Sequence, residues 1–259
     1  MTAGKKINTT ENRSVLHQGL RMPKDEQLTA GDQNVTKDVH EVLDRIKGFS
    51  DKVRSGEFKG HSGKALKNIV AIGIGGSYLG PEFVYEALRL EPKCHEASNG
   101  RTLRFLANVD PNDFHRATQG LDVEETLFVI ISKTFTTAET MLNSRSCRSH
   151  ILEHYKKVSP DASESDVLAK HLCAVSTNLK LTKEFGIMDE NVFGFWEWVG
   201  GRFSVSSAVG VLPLSLFFGF ENVNEFLQGM HHMDKNYQSE KDFTKNLPVL
   251  LGLIGFFNT

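Results

Sequence analysis

Cysteine is scarce in this chain. Cys94, Cys147 and Cys173 are widely spaced and odd in number, so they make neither a disulfide framework nor a C-x-x-C metal site. That usage suits a reducing compartment. An excess of one charge sign is also missing. Thirty Lys and Arg against 32 Asp and Glu leave a net charge of −2, which gives no general attraction to nucleic acid or to an anionic membrane. No long unbroken apolar run is present. The longest, Val205–Phe220, is interrupted by serines, two glycines and Pro213, which makes it a poor membrane span. The opening MTAGKKINTT holds two lysines and no apolar core, unlike a secretory signal. The sequons at Asn8 and Asn34 carry little meaning without one. There is no internal repeat and no low-complexity tract. These absences predict a cytoplasmic protein with no nucleic-acid partner and no membrane.

What remains is globular. Hydrophobic residues make up 39% and charged residues 24% of 259, enough for one large core or two small ones. Apolar positions from Val35 to Val53 recur at three- and four-residue steps and predict an amphipathic helix within Asp32–Glu57. After a basic loop, Lys59–Lys67, short apolar runs alternate with helical patterns. Strands are expected at Ile69–Ile72, Leu103–Leu106, Thr126–Ile131 and His171–Val175. Helices are expected at Pro81–Arg89, Phe114–Gln119, Ala138–Lys157 and Asn178–Phe185, with Ser159–Ser165 as a polar loop. The alternation predicts an α/β fold, a parallel sheet sandwiched by helices. Ligands of such sheets bind beyond the carboxyl ends of the strands. Beyond Gly186 an aromatic, glycine-rich stretch leads to helical segments at Val205–Phe217, Glu221–Met233 and Leu247–Phe257. Three segments result: a lead-in over 1–58, an α/β domain over 59–185, and a glycine-aromatic and helical segment over 186–259.

Three loops carry the candidate chemistry. In Asn68–Gly80 (NIVAIGIGGSYLG), four glycines and Ser77 precede a helix; backbone can approach a ligand closely there, and a helix N-terminus favours an anion. Gly73 and Gly75 fit a dinucleotide fingerprint, but Tyr78 holds its third glycine position, and no Gly-Lys-Ser/Thr of a P-loop follows. The loop therefore serves a phosphate, a sugar phosphate or only a tight turn. Ser132–Thr137 (SKTFTT) offers four hydroxyls and a lysine ahead of a helix. It suits a phosphate dianion, while Thr136 and Glu139 also fit a capping box. In Gly200-Gly201-Arg202 a permanent cation beside two glycines suits an oxyanion or a phosphate, the plainer alternative being a surface ion pair. His150-Ile-Leu-Glu153-His154 matches a zinc-peptidase pattern, but no third ligand stands out and the segment reads as a solvated helix end. His231-His232 reads as structural.

Taken together, GIGGSYLG (73–80), SKTFTT (132–137) and EWVGGRFS (197–204) resemble the glucose-6-phosphate isomerase, or phosphoglucose isomerase, family. RFLANVD (104–110), STNL (176–179), EFGI (184–187) and PVLL (248–251) extend the resemblance over nearly the whole chain from Ile7. It implies a sugar-isomerase-type, Rossmann-like fold. It also implies a homodimer that interconverts glucose 6-phosphate and fructose 6-phosphate through a cis-enediol, in glycolysis and gluconeogenesis, with no cofactor and no metal. By that resemblance Gly76 and Ser77 contact the sugar. Ser132, Lys133, Thr134, Phe135, Thr136 and Thr137 form the substrate-binding loop, with the phosphate on Ser132, Lys133, Thr134 and Thr137. Arg202 is the catalytic cation that steadies the intermediate. Tyr78 departs from many members without an expected loss of binding. A larger departure is length: the family's polypeptide is twice as long, and its glutamate base, ring-opening histidine and late lysine have no counterpart here. The expectation is an incomplete isomerase chain, ending within an apolar pattern at Asn258-Thr259 and inactive alone. A non-catalytic sugar-phosphate-sensing module is the alternative.

Overall fold

A computed structural model describes residues 4–259. In chain order it runs through a 3-10 turn (His17–Arg21), a small antiparallel pair β1 (Thr29–Ala30) and β2 (Gln33–Asn34), and α1 (Val35–Ser55). Then come β3 (Asn68–Ile72), α2 (Gly76–Leu88), α3 (Pro92–Ala97), β4 (Thr102–Leu106), α4 (Pro111–Thr118), β5 (Thr126–Ile131) and α5 (Ala138–Val158). The remainder is α6 (Glu164–His171), β6 (Leu172–Val175), α7 (Leu179–Phe185), β7 (Val192–Phe193), a 3-10 strap (Gly201–Ser206), α8 (Ala208–Phe218), α9 (Phe220–Ser239) and α10 (Leu247–Phe257).

Strands β4-β3-β5-β6-β7 form one parallel sheet in that order. The fold is α/β, as the alternation of strands and helices predicts. The chain lays β4 on one side of β3 and then crosses to place β5 on the other, so the switch point lies between β3 and β5. Every residue of β5 is buried, and alternate side chains serve opposite faces. Leu127, Val129 and Ile131 join α1, α8 and α9 in one core, while Phe128 and Ile130 join α5 and α6 in another. Each such fully buried aliphatic or aromatic side chain contributes about 1.5–3 kcal/mol.

All residues of α8 are buried, because the helix lies between α1, α9 and the sheet. Gly201–Phe218 is apolar and long enough to cross a membrane by composition, and here that character is used inside the core. The N-terminal turn also closes onto late chain: Arg21 donates to both carboxylate oxygens of Asp234 on α9, at 2.6 and 2.8 Å. In α10, no residue is buried.

Three element expectations are corrected, and two further elements are added. α2 begins at Gly76, five residues before Pro81. Pro81 sits in the second turn, where it has no N–H to give the Ser77 carbonyl, so the glycine-serine stretch is the helix start itself. The polar run before β6 holds α6, nucleated by Ser163, whose hydroxyl accepts the Asp166 N–H. His171 is the last residue of that helix, and β6 starts at Leu172. β7 is a fifth strand of two residues, too short for any periodicity to mark. α3, opened by Pro92 with Glu91 as its cap, is a further helix.

Candidate functional site

The strand register sets the site. Ile72 pairs with Leu106 and Ile130, Ile131 with Val175, and Val175 with Phe193. The residues that follow, Gly73, Ser132, Ser176 and Gly194, therefore leave the sheet along one carboxyl edge. The loops after β3 and β5 flank the switch point.

Gly75, the N-cap of α2, adopts φ 56° and ψ −123°, a region that side chains avoid. Gly76 then opens the helix directly against the strap, since a Cβ there would collide with the Gly201 carbonyl. The Ser204 hydroxyl donates to Gly201 O at 2.8 Å and to Gly76 O at 3.4 Å. Gly80 packs against Val205, whose side chain would lie 2.9 Å from a Cβ added at Gly80. Two of the four glycines thus bring α2 and the Arg202 strap together. Ser77 is half-buried in the first turn, and its hydroxyl has no partner among the described residues.

The loop after β5 is held by its carbonyls. Lys133 O accepts the Thr177 N–H at 3.0 Å, the Thr177 hydroxyl at 2.8 Å and the Ser176 hydroxyl at 3.2 Å. Thr134 O accepts the Asn178 amide at 3.1 Å. Phe135, at φ 57° and buried, turns its ring onto Phe185, so only its backbone faces the loop. With the carbonyls engaged, the N–H groups of Thr134, Thr136, Thr137 and Ala138 have no acceptor among the described residues. Thr137 is the N-cap of the 21-residue α5 yet makes no side-chain cap bond. The capping-box expectation is therefore corrected: the Thr136 hydroxyl lies 2.7 Å from that of Thr134, and Ser132 donates to Thr137 at 3.4 Å. Hydroxyls bonded to one another leave the first turn of α5 open to an anion.

Lys133 points elsewhere. Its ammonium donates to Glu197 O at 3.2 Å and Val199 O at 3.3 Å, and lies 5.7 Å over the Phe195 ring. Burial pushes its pKa down, partly opposed by Glu197. It therefore ties the loop after β5 to the stretch before the strap. In that stretch Trp196 and Trp198 stack at 5.1 Å with planes 6° apart. Trp198 and Val199 are buried, whereas Arg202 is exposed, with no ion pair among the described residues. From the other side the Gly200 N–H donates to His17 Nε2 at 2.9 Å, and Arg13 holds the Glu197 carboxylate at 3.0 Å.

The structure thus sets Gly76 against the Gly201 backbone of the strap that carries Arg202, with Ser77 next in the same first turn, and gathers Ser132, Lys133, Thr134, Thr136 and Thr137 at the next strand end, where Lys133 ties the loop to the stretch before the strap. Arg13, His17 and Ser176–Asn178 support this site without having been assigned to it. STNL was visible as a resembling stretch; for His17 and Arg13 no motif exists. The histidines of the zinc-like pattern diverge. His150 packs edge-on to Phe114, and His154 reaches Glu124 at 3.1 Å. Asp122, Glu124 and His154 do converge at the amino edge of the sheet, but the Lys64 ammonium sits among them, 2.8 Å from Asp122 and 3.0 Å from Glu124. Of the histidine pair, His231 lies 3.5 Å from Glu26.

Comparison with known proteins gives one family. The model of phosphoglucose isomerase matches residues 1–259. The chain is 55% identical over 258 residues to the cytosolic glucose-6-phosphate isomerase of Arabidopsis thaliana, covering 100% of this chain and 44% of the relative. It is 54% identical, with the same coverage, to cytosolic glucose-6-phosphate isomerase A of Oryza sativa subsp. japonica. A crystal structure of a glucose-6-phosphate isomerase from Chlamydia trachomatis superposes with a TM-score of 0.76 at 28% identity, over 99% of this chain and 45% of that one. The chain spans less than half the length of the relatives it matches.

Proposed function

The chain belongs to the phosphoglucose isomerase family, and from that premise we propose that it supplies the phosphate-holding part of an aldose-ketose isomerase acting on glucose 6-phosphate and fructose 6-phosphate. The observation that carries this is the loop ahead of α5, whose carbonyls are engaged while its N–H groups and the helix's positive end stay open. A phosphate dianion seats there on the hydroxyls of Ser132, Thr134, Thr136 and Thr137 and on the free N–H groups around Phe135. Lys133 adds positive field from the side. The sugar runs toward Gly76 and Ser77. Arg202, on the strap that rests against Gly76, meets the negative charge that develops on the enediol oxygens. Shifting a proton between C1 and C2 needs a base within hydrogen-bond reach. By the family resemblance, the base and with it turnover are assigned to the part of the relatives' length that this chain does not span. The same proposal includes a homodimer, a cytoplasmic location, and the working division into 1–58, 59–185 and 186–259.

The test is a titration of glucose 6-phosphate followed by the fluorescence of Trp196 and Trp198. Wild-type protein binds, and Ser132→Ala with Thr137→Ala binds roughly 100- to 200-fold more weakly, at about 1.5 kcal/mol for each of the two charge-assisted hydrogen bonds. Equal affinity of the double variant and the wild type would overturn the assignment.

A further inference from the structure

We infer that His17, as a neutral imidazole, is a positioning residue that holds the backbone of Gly200-Gly201-Arg202 in place; its importance for ligand rests on the role proposed for Arg202. The Gly200 N–H donates to His17 Nε2 at 2.9 Å. An accepting Nε2 puts the ring proton on Nδ1. The ring also lies 5.1 Å from Phe203, the residue after Arg202, at a tilt of 58°. His17 thus grips both sides of the guanidinium's attachment point, from a turn 183 residues earlier in the chain. The grip works in one protonation state only. In the imidazolium both ring nitrogens are donors, so Nε2–H would face the Gly200 N–H and the two would repel.

The surroundings favour the neutral ring. Burial is the larger cause that lowers the His17 pKa, and Arg21 on the same turn adds to it. On the elements packed against this turn, Arg21 is paired with Asp234 of α9, and His231 of α9 is turned to Glu26. His40 of α1 bonds Met22 O at 2.8 Å. Arg202 on the strap is a further cation. Arg13 and Lys133 are spent on the neighbouring Glu197, one on its carboxylate and one on its carbonyl. No carboxylate among the described residues pairs with His17.

The experiment follows the backbone amide resonances of Gly200–Arg202 against pH, beside the affinity for glucose 6-phosphate, in wild type, His17→Gln and His17→Phe. Gln keeps an acceptor near Nε2 and does not titrate; Phe keeps the ring contact and loses the acceptor. In wild type the Gly200 amide shift is expected to titrate with a midpoint below about 6.5, and affinity to fall about three- to tenfold below that midpoint. His17→Gln should keep only the pH dependence of the ligand's own phosphate, whose second pKa is about 6, and His17→Phe should bind at every pH as weakly, relative to His17→Gln, as the low-pH wild type does. A Gly200 amide that does not titrate, or a His17→Phe variant with unchanged Gly200–Arg202 shifts and affinity, overturns the inference. If wild type binds no sugar phosphate while the Gly200 amide titrates and the Gln variant removes the titration, the positioning role stands and the sugar-phosphate reading falls.

Discussion

Gly76→Ala tests the contact on which the site is assembled. The added methyl group would meet the carbonyl of Gly201, and behind it the Gly201 carbonyl carbon and Cα. All of these are backbone, so no rotamer change relieves the collision; α2 or the strap must move. Overpacking at a rigid contact costs about 1–3 kcal/mol. Replacing a helical glycine by alanine recovers at most about 1 kcal/mol, and less at the first position of α2. The net loss is then about 1–2 kcal/mol, a drop in Tm of roughly 2–8 °C at this chain length. Gly201→Ala is the matched control, because nothing lies within 4 Å of its Cβ position and it should stay within about 0.5 kcal/mol of wild type. Thermal unfolding followed by circular dichroism gives the stabilities, and glucose 6-phosphate titration gives the affinities. Gly76→Ala should lose both stability and affinity, since the displaced strap carries Arg202. Coincident melting curves for the two variants would refute the contact as the cause.

Other expectations concern the scaffold. His171 is fully buried, with Nδ1 2.8 Å from Thr126 O and Nε2 2.9 Å from the Tyr155 hydroxyl and 3.1 Å from the His61 N–H. Its pKa is lowered, chiefly by burial. The unfolded chain therefore takes the proton first as pH falls below about 6.5, and stability, fully present above that value, declines by up to about 1.4 kcal/mol per unit. His17 and His150 act in the same direction; urea midpoints that do not fall between about pH 7.5 and about pH 5 would contradict this. Asp234→Ala strands the Arg21 guanidinium and should cost about 1–3 kcal/mol in urea unfolding. Ser163→Ala removes the cap of α6 and should cost about 0.5–2 kcal/mol by the same measurement.

The parts of the fold legible in the sequence are those written by periodicity. Thr126–Ile131 is a strand with the expected bounds because six consecutive buried residues serve two cores. Leu247–Phe257 likewise keeps its bounds between Asn246 and Asn258. Where a local rule pointed two ways, the sequence misled. Pro81 reads as a helix start, but it tolerates the second turn of α2 because the strap packed against Gly76 and Gly80 holds that turn. Thr136 and Glu139 spell a capping box, but Thr136 bonds Thr134 instead. The loops at 73–80 and 132–137 are legible as glycine- and hydroxyl-rich interruptions at strand ends, and the register brings them to one edge; the strap around Arg202 follows β7, a strand that no periodicity marks. What could not be read is tertiary. Nothing around His17 or Arg13 signals that either reaches residues 197–203, since a contact across more than 180 residues leaves no local pattern.

The ion pair between Arg21 and Asp234 spans 213 residues, and that separation sets a schedule for the growing chain. At 5–20 residues per second, about 10–40 s pass between the synthesis of the two partners. During that time β3, β4 and β5 can pair as they emerge, whereas the apolar side of α1, with Val35, Val39, Leu43 and Ile46, waits for α8. Early chain is thus held unfinished on the ribosome, its greasy face open to chaperones or to a neighbouring nascent chain. The His17 grip on Gly200 closes only after the strap has left the exit tunnel, so the loops after β3 and β5 are built early and the strap that carries Arg202 is locked in place late.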